Sequence, residues 1–71
     1  YTAVCMQIKV NGEWRDFSSS LTVAGLVEAL ALNVTQVAVE KNHAIVPRAT
    51  YADATLMDGD EVEIVRFIGG G

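Results

Sequence analysis

The sequence is poor in the residues that build covalent or metal-held frameworks. Its 71 residues include one cysteine, one histidine and one proline. A single cysteine excludes a disulfide within the chain. One cysteine and one histidine are also too few soft ligands for a zinc site made by the protein alone. We therefore expect no bound metal.

Basic residues are also scarce, and they are scattered along the chain. Five Lys and Arg stand against nine Asp and Glu, which gives a formal net charge of −4. A protein that binds a phosphate backbone needs clustered basic residues, so this balance predicts no nucleic-acid partner. No apolar run approaches the ~20 residues that span a bilayer, and no charged leader precedes an apolar segment. A small domain without disulfides suits a reducing compartment, so we expect a cytoplasmic protein without a membrane partner.

What the sequence does have is apolar content, at 51% of residues, and a regular alternation near its start. Disordered chains are less hydrophobic, so we predict one folded domain over residues 1–71. Met6–Val10 alternates apolar and polar residues, as a strand with one buried face does. Asn11-Gly12 then favours a tight hairpin turn with positive φ at both positions. Glu13–Phe17 returns as the second strand, with Trp14 as its expected apolar anchor. Met6 is a candidate natural start; alternatively, residues 1–5 extend the first strand.

A helix is predicted after the hairpin. Thr22 is suited to cap its first turn, and Leu21 can pack back onto it. Gly25 is unfavourable inside a helix and indicates a close approach to the sheet. The helix is expected to end near residues 32–33. Its apolar stripe has helical spacing and consists of Val23, Leu26, Val27 and Leu30.

The second half of the chain predicts three more strands, so the order is β-β-α-β-β-β. The expected segments are a strand over 36–41, a turn over 41–43, a short strand over 44–46, an irregular stretch over 48–57 with a helical turn around 51–54, a turn over 58–60 and a strand over 61–67. Pro47 cannot donate to a ladder, which places the short strand at a sheet edge. We predict an α+β fold with one helix packed on one face of a mixed sheet, the β-grasp arrangement. If its first and last strands pair in the middle of the sheet, they run parallel.

Candidate catalytic residues have weak support. Ser18 and His43 lack any spacing that indicates a catalytic triad, and His43 is expected in an exposed turn. Cys5 has no base near it in sequence and is expected to be inert. Asp58 and Asp60 flank a turn glycine, where aspartate favours local backbone hydrogen bonds. Glu61 and Glu63 share one strand face, so they are expected to form a solvated surface or to contact a basic partner.

The glycine tail is the remaining candidate for chemistry. Gly69, Gly70 and Gly71 follow the last predicted strand. Without side chains, such a tail can pass through a narrow channel and adopt dihedral angles closed to other residues. Its α-carboxylate can attack the α-phosphate of ATP in a partner's active site, which gives a reactive acyl-adenylate. We therefore predict that residues 69–71 are a flexible tail with Gly71 as the reacting residue.

Several segments together resemble a known family. These are residues 6–12, the helix start at 21–23, residues 39–42 and 45–48, and the ending at 58–65 and 67–71. In order and spacing they resemble the ubiquitin-like sulfur carriers, especially the ThiS-type carrier of thiamin-thiazole biosynthesis. The resemblance covers nearly the whole chain, although the tail has three glycines where two suffice.

The resemblance implies a carrier rather than an enzyme. It implies that an E1-like activating enzyme of the ThiF type uses ATP to adenylate Gly71, so that no cofactor is bound by the chain itself. Sulfur from a donor enzyme then converts the glycine to a thiocarboxylate, and a ThiG-type thiazole synthase takes the sulfur. Two alternatives stay open: a MoaD-like carrier, the small subunit of molybdopterin synthase, and a ubiquitin-like protein modifier or binding module.

A docking surface is predicted beside the tail. In the last strand Val62 and Ile64 should face the helix, while Val65 and Phe67 should face away. Together with Ile68 they are the predicted partner-binding residues, since exposed apolar patches tend to mark interfaces. The alternative is that another side chain, such as Trp14, covers them.

Overall fold

The computed structural model describes residues 5–17 and 20–67. Within these ranges the chain forms seven strands and one α-helix. The strands are β1 (Met6–Val10), β2 (Glu13–Phe17), β3 (Leu21–Thr22), β4 (Val37–Lys41), β5 (Ala44–Ile45), β6 (Thr55–Leu56) and β7 (Glu61–Arg66), and the helix is α1 (Val23–Ala29). Short 3₁₀ helices cover Val34–Gln36 and Arg48–Thr50.

The main sheet has the order β2-β1-β7-β4-β5. β1 and β7 pair in parallel at its centre, with Val10 opposite Val62, and the other pairs are antiparallel. The two-residue strand β5 lies at the edge of the sheet, as predicted from the proline that follows it. The predicted α+β fold, with a mixed sheet and one helix, is therefore confirmed.

The hydrophobic core lies between α1 and one face of this sheet, the inner face. Alternation along each strand sends every second side chain inward. The largest side chains with less than 2% exposure are Ile8, Val37, Val39 and Val62 from the main sheet, Val23, Leu26 and Val27 from the helix, and Leu56 from β6. The opposite face, the outer face, is open to solvent in the described part of the chain.

The turns follow the predicted glycine and asparagine chemistry. Asn11 and Gly12 have φ of 49° and 87°, as a type I′ hairpin requires. Asn42 and His43 also have positive φ, at 52° and 71°. Thr22 caps α1, because its Oγ1 accepts a hydrogen bond from the Gly25 N–H at 3.0 Å. A Cβ at Gly25 would lie 3.1 Å from the Leu21 side chain, so the close approach there is to β3.

The predicted end of the helix was wrong. The α-helix ends at Ala29, before the expected residues 32–33. Ala31 has a φ of 60°, its N–H donates to Glu28, and the N–H of Leu32 donates to Val27. These two bonds form a Schellman ending, which usually carries glycine at the left-handed position. Because alanine stands there, no local stop signal marks the end of the helix.

The stretch 48–57 is more regular than predicted. Its helical turn comes earlier, at Arg48–Thr50, and Thr55–Leu56 forms β6, which pairs with β3. The short strand over 44–46 ends one residue early, although the Val46 N–H still donates to the Val39 carbonyl at 2.9 Å. Strands of two residues are too short to show an alternation.

Trp14 is not an apolar anchor, which corrects the prediction. It lies opposite Lys9, and Lys9 alternates with the buried Ile8 and Val10. Trp14 is therefore on the outer face, where it is 53% exposed. The Lys9 Nζ lies 5.9 Å from the indole centroid, within the range of a cation–π contact.

Among the described residues, no helix is long and apolar enough to cross a membrane.

Candidate functional site: the tail-bearing strand and the outer face

The central strand β7 leads directly into the predicted tail. The Phe67 N–H donates to the Gln36 carbonyl at 2.9 Å, just beyond the last residue of the strand. This bond ties the chain to the sheet through Phe67. Ile68, Gly69, Gly70 and Gly71, which the sequence predicted as tail and contact residues, lie outside the described residues.

Two asparagines hold β7 from both sides. Asn11 lies where β1 turns away, and its Oδ1 accepts from the Ile64 N–H at 2.8 Å while its Nδ2 donates to the Ile64 carbonyl at 3.3 Å. Asn42 occupies the corresponding position in the next hairpin, and its Oδ1 accepts from the Glu61 N–H at 3.0 Å. The Asn11 amide thus substitutes for a backbone peptide group, whereas the Asn42 amide does so only through its oxygen and donates its Nδ2 to the Asp60 carboxylate at 3.1 Å. We call these contacts the asparagine clamps; they fix the register of the strand that carries the tail.

The backbone N–H groups of the same two residues strengthen the clamps. The N–H of Asn11 donates to Val62 at 3.0 Å, and that of Asn42 donates to Glu61 at 2.7 Å. Sequence reasoning identified both residues as turn formers and missed this second role. Asparagine at the first position of two hairpin turns was the available signal.

The outer face near the end of β7 carries exposed apolar side chains. Val65 is 59% exposed and Phe67 is 52% exposed, as predicted for residues that point away from the helix. Val65 lies opposite the small Ala38 of β4. On the neighbouring edge strand Ile45 is 78% exposed, and it lies opposite Glu40. Sequence reasoning missed Ile45, because a two-residue strand does not reveal which way its side chains point.

Trp14 does not lie next to these residues. It belongs to β2, at one edge of the sheet, and β1 separates that strand from β7. The alternative in which Trp14 covers Val65 and Phe67 is therefore wrong. We refer to Ile45, Val65 and Phe67 as the apolar patch.

Two carboxylates border the apolar patch. Glu40 and Glu63 are directly opposite each other in the register of β4 and β7, and both are exposed. Across the described ranges, the ion pairs within 4.0 Å are Arg15–Glu13 and His43–Glu61. Glu40 and Glu63 therefore face each other, and no cation of the described residues lies within 4.0 Å of either carboxylate. Like charges placed opposite each other on neighbouring strands are destabilising.

The other candidate residues have structural surroundings. His43 is in an exposed turn, with its Nε2 3.9 Å from a Glu61 carboxylate oxygen. Cys5 is exposed. Asp60 accepts from the nearby Met57 N–H at 2.8 Å, which is the kind of local turn bond that was predicted. Asp58 accepts instead from the N–H of Gln7 in β1 at 2.8 Å, so its carboxylate ties the turn to the sheet.

No group of three or more metal-binding side chains is gathered in the part of the chain that the structure describes. Ser18 lies outside that part. The described geometry thus brings the apolar patch and the Glu40–Glu63 pair together on the outer face of the main sheet.

Comparison with known proteins identifies the family. The model of the ThiS family matches residues 8–71, which includes the last three residues of β1, all of β7 and the glycines at 69–71. The chain belongs to the ThiS family.

Relatives of the chain agree with this family. It is 38% identical over 50 residues to the sulfur carrier protein ThiS of Bacillus subtilis, covering 70% of this chain and 76% of that protein. A crystal structure of the thiamine biosynthesis protein ThiS from Geobacter metallireducens superposes with a TM-score of 0.80 at 36% identity, covering 93% of this chain and all of that one. The fold and the sequence therefore both place this chain with the ThiS sulfur carriers.

A longer relative is also similar. The chain is 50% identical over 66 residues to a thiazole synthase of Paramagnetospirillum magneticum, which covers 93% of this chain. The chain spans only 20% of the length of that thiazole synthase.

Proposed function

We propose that this chain carries sulfur on Gly71 and donates it for thiazole formation in thiamin biosynthesis. One observation carries the proposal: the ThiS match runs through residue 71, so the similarity includes the glycine tail. The similarity to part of a thiazole synthase supports the thiazole branch, because it links this domain to the enzyme class that consumes the sulfur.

The proposed chemistry takes place in partner enzymes. The α-carboxylate of Gly71 attacks the α-phosphorus of ATP, pyrophosphate leaves, and an acyl-adenylate forms. A sulfur donor at the oxidation level of sulfide then attacks the acyl carbon, the bond to AMP breaks, and a thiocarboxylate remains. The carrier supplies the reacting carboxylate, while the activating enzyme supplies ATP binding, positioning and charge stabilisation.

The anchoring of Phe67 limits where a partner can bind. Four residues follow Phe67, and four extended residues reach at most about 14 Å. An active site that acts on Gly71 must therefore lie close to the end of β7. Val65 and Phe67 of the apolar patch are at that end, so these two residues, with Ile68, are our proposed contacts for the activating enzyme and the thiazole synthase.

Intact-mass spectrometry tests the loading step. The 71-residue chain is incubated with ATP, a ThiF-type activating enzyme and a sulfur-donor system, and a chain lacking Gly71 is the matched control. We expect exchange of one oxygen for sulfur in the full chain and none in the control. No mass change with an enzyme that loads another ThiS protein would overturn the proposal. Attachment of the whole chain to lysines would favour a protein modifier.

A second measurement separates the two sulfur pathways. The loaded chain is offered to a ThiG-type thiazole synthase and, separately, to the large subunit of a molybdopterin synthase. We expect the thiocarboxylate to be consumed by the thiazole synthase. Consumption by the molybdopterin enzyme alone would favour the MoaD-like alternative.

A further inference from the structure

The two edges of the main sheet are built differently. One edge is β5, which has two residues and is followed by Pro47. Short edge strands and prolines keep the edge of a sheet from pairing with another chain. The other edge is β2, which has five residues and no proline. In the described part of the chain β2 pairs with β1 alone, so its second side is open.

The backbone groups on the open side of β2 follow from the pairing of β1. The N–H of Lys9 donates to the Asp60 carbonyl, on the side of β7. Because the backbone groups of successive residues point to opposite sides of a strand, those of Ile8 point to β2, where the opposite residue is Arg15. The N–H and C=O of Trp14, the residue before Arg15, therefore point away from the sheet. They are free to pair with another strand.

The side chains of β2 are complementary to a second copy of the same strand. Glu13 and Arg15 lie on one face, with 77% and 49% of their side chains exposed, and Trp14 lies between them on the outer face. When two copies pair antiparallel with Trp14 opposite Trp14, each Glu13 lies opposite the Arg15 of the other copy. The two Trp14 residues then exchange backbone hydrogen bonds. The Glu–Arg pairs occupy the non-hydrogen-bonded positions, where opposing side chains lie closest.

The neighbouring symmetrical registers bring like charges together. A centre at Arg15 places two guanidinium groups opposite each other, and a centre at Glu13 or Asp16 places two carboxylates opposite each other. Like charges directly opposite on neighbouring strands are destabilising. The alternating charges of β2 therefore favour one register, whereas an edge strand with charges of a single sign would repel its own copy in every register.

We infer that the open edge of β2 pairs with β2 of a second copy of this chain, in an antiparallel register centred on Trp14. The two five-stranded sheets then become continuous. Two Glu13–Arg15 ion pairs and a contact between the indole rings form at the centre. Because each copy contributes only one short strand, we expect a weak dimer with a dissociation constant of roughly 0.1–1 mM. The interface lies at the opposite edge from β5, and the inference does not rest on the proposed function.

Sedimentation equilibrium of the 71-residue chain tests the association, over concentrations of about 0.05–1 mM that bracket the expected dissociation constant. Salt at about 0.15 M screens the repulsion between the two net charges of −4. The wild type should be mainly monomeric at the lowest concentration and largely dimeric at the highest. Arg15→Glu places carboxylates opposite each other and should raise the dissociation constant at least about tenfold.

Two further variants separate this interface from a general effect of charge. Glu13→Arg combined with Arg15→Glu exchanges the two charges and keeps an opposite pair within the strand, where the groups lie 4.0 Å apart. It should restore the dissociation constant to within about threefold of the wild type. Arg66→Glu is the matched control, because it makes the same charge change on β7. It should leave the dissociation constant within about twofold.

Amide hydrogen exchange locates the interface. The Trp14 N–H points to solvent in the monomer and is bonded in the dimer. Its exchange should therefore be about two- to threefold slower at about 1 mM than at about 0.05 mM, in proportion to the fraction of monomer. The Arg15 N–H faces β1 in both states, so its exchange should change less.

A wild-type chain that stays monomeric at about 1 mM would overturn the inference. So would a dimer that Arg15→Glu leaves intact, a double variant that does not associate, or an equal loss of association in Arg66→Glu. Protection of the Trp14 amide only after a partner enzyme is added would also overturn it, because the edge would then bind another protein. None of these measurements needs sulfur loading, so their failure leaves the proposed function unaffected.

Discussion

The two faces of β7 can be compared through a single residue type. Val62 and Val65 are both valines on the same strand, but Val62 is fully buried and Val65 is 59% exposed. Val62 belongs to the core beneath α1, whereas Val65 lies opposite Ala38 on the open face. Successive side chains of the strand therefore point to opposite faces and have different roles. The inner side chains hold the fold together, and the outer ones are available to a partner.

The largest effect on stability is expected on the inner face. Val62→Ala removes two buried methyl groups from a closely packed core. We expect the free energy of unfolding to fall by about 2–3 kcal/mol, from lost burial and the cavity left behind. Urea denaturation measures this, with Val65→Ala as the matched control. Equal losses for the two variants would contradict the division between the faces.

A smaller effect is expected for the asparagine clamps, which join the hairpins to β7. Asn11→Gly removes both side-chain bonds to Ile64 and keeps a residue suited to the φ of 49°. We expect a loss of about 1–2 kcal/mol and faster exchange of the Ile64 amide proton, because that group loses its acceptor. Asn11→Asp retains the acceptor and should protect this proton more than glycine does. An unchanged exchange rate of the Ile64 amide proton in Asn11→Gly would contradict the proposed role of the Asn11 clamp.

The smallest effect on stability is expected on the outer face. Phe67→Ala should change the free energy of unfolding by less than about 1 kcal/mol, because half of the side chain is already in solvent. It should weaken binding to the activating enzyme, which isothermal titration calorimetry with the purified pair measures. An unchanged affinity would reject the apolar patch as a docking site. A large loss of stability would show that Phe67 belongs to the core.

Much of the fold was predictable because its signals are local. The alternation in β1 and β7, the Asn-Gly turn and the capping threonine each act within a few residues, and the structure confirms them. The faces of Val62, Ile64, Val65 and Phe67 followed from the same period of two.

Other features depend on distant partners, so local patterns did not reveal them. The face of the sheet on which Trp14 lies depends on the register of β2 against β1. Residues 21–22 form a strand only because β6 lies beside them. The left-handed Ala31 that ends the helix lacks the usual glycine. Ile45 and the facing pair of Glu40 and Glu63 join the site through strand pairing, which a single sequence does not display.

Transfer of labelled sulfur tests the central claim most directly. The chain is loaded with isotopically labelled sulfur, its location on Gly71 is checked by fragment mass spectrometry, and the loaded chain is mixed with a ThiG-type thiazole synthase and its other substrates. The account predicts that the label leaves Gly71 and appears in the thiazole product in one turnover. Label that stays on the chain, or that is found on Cys5 instead of Gly71, would contradict it.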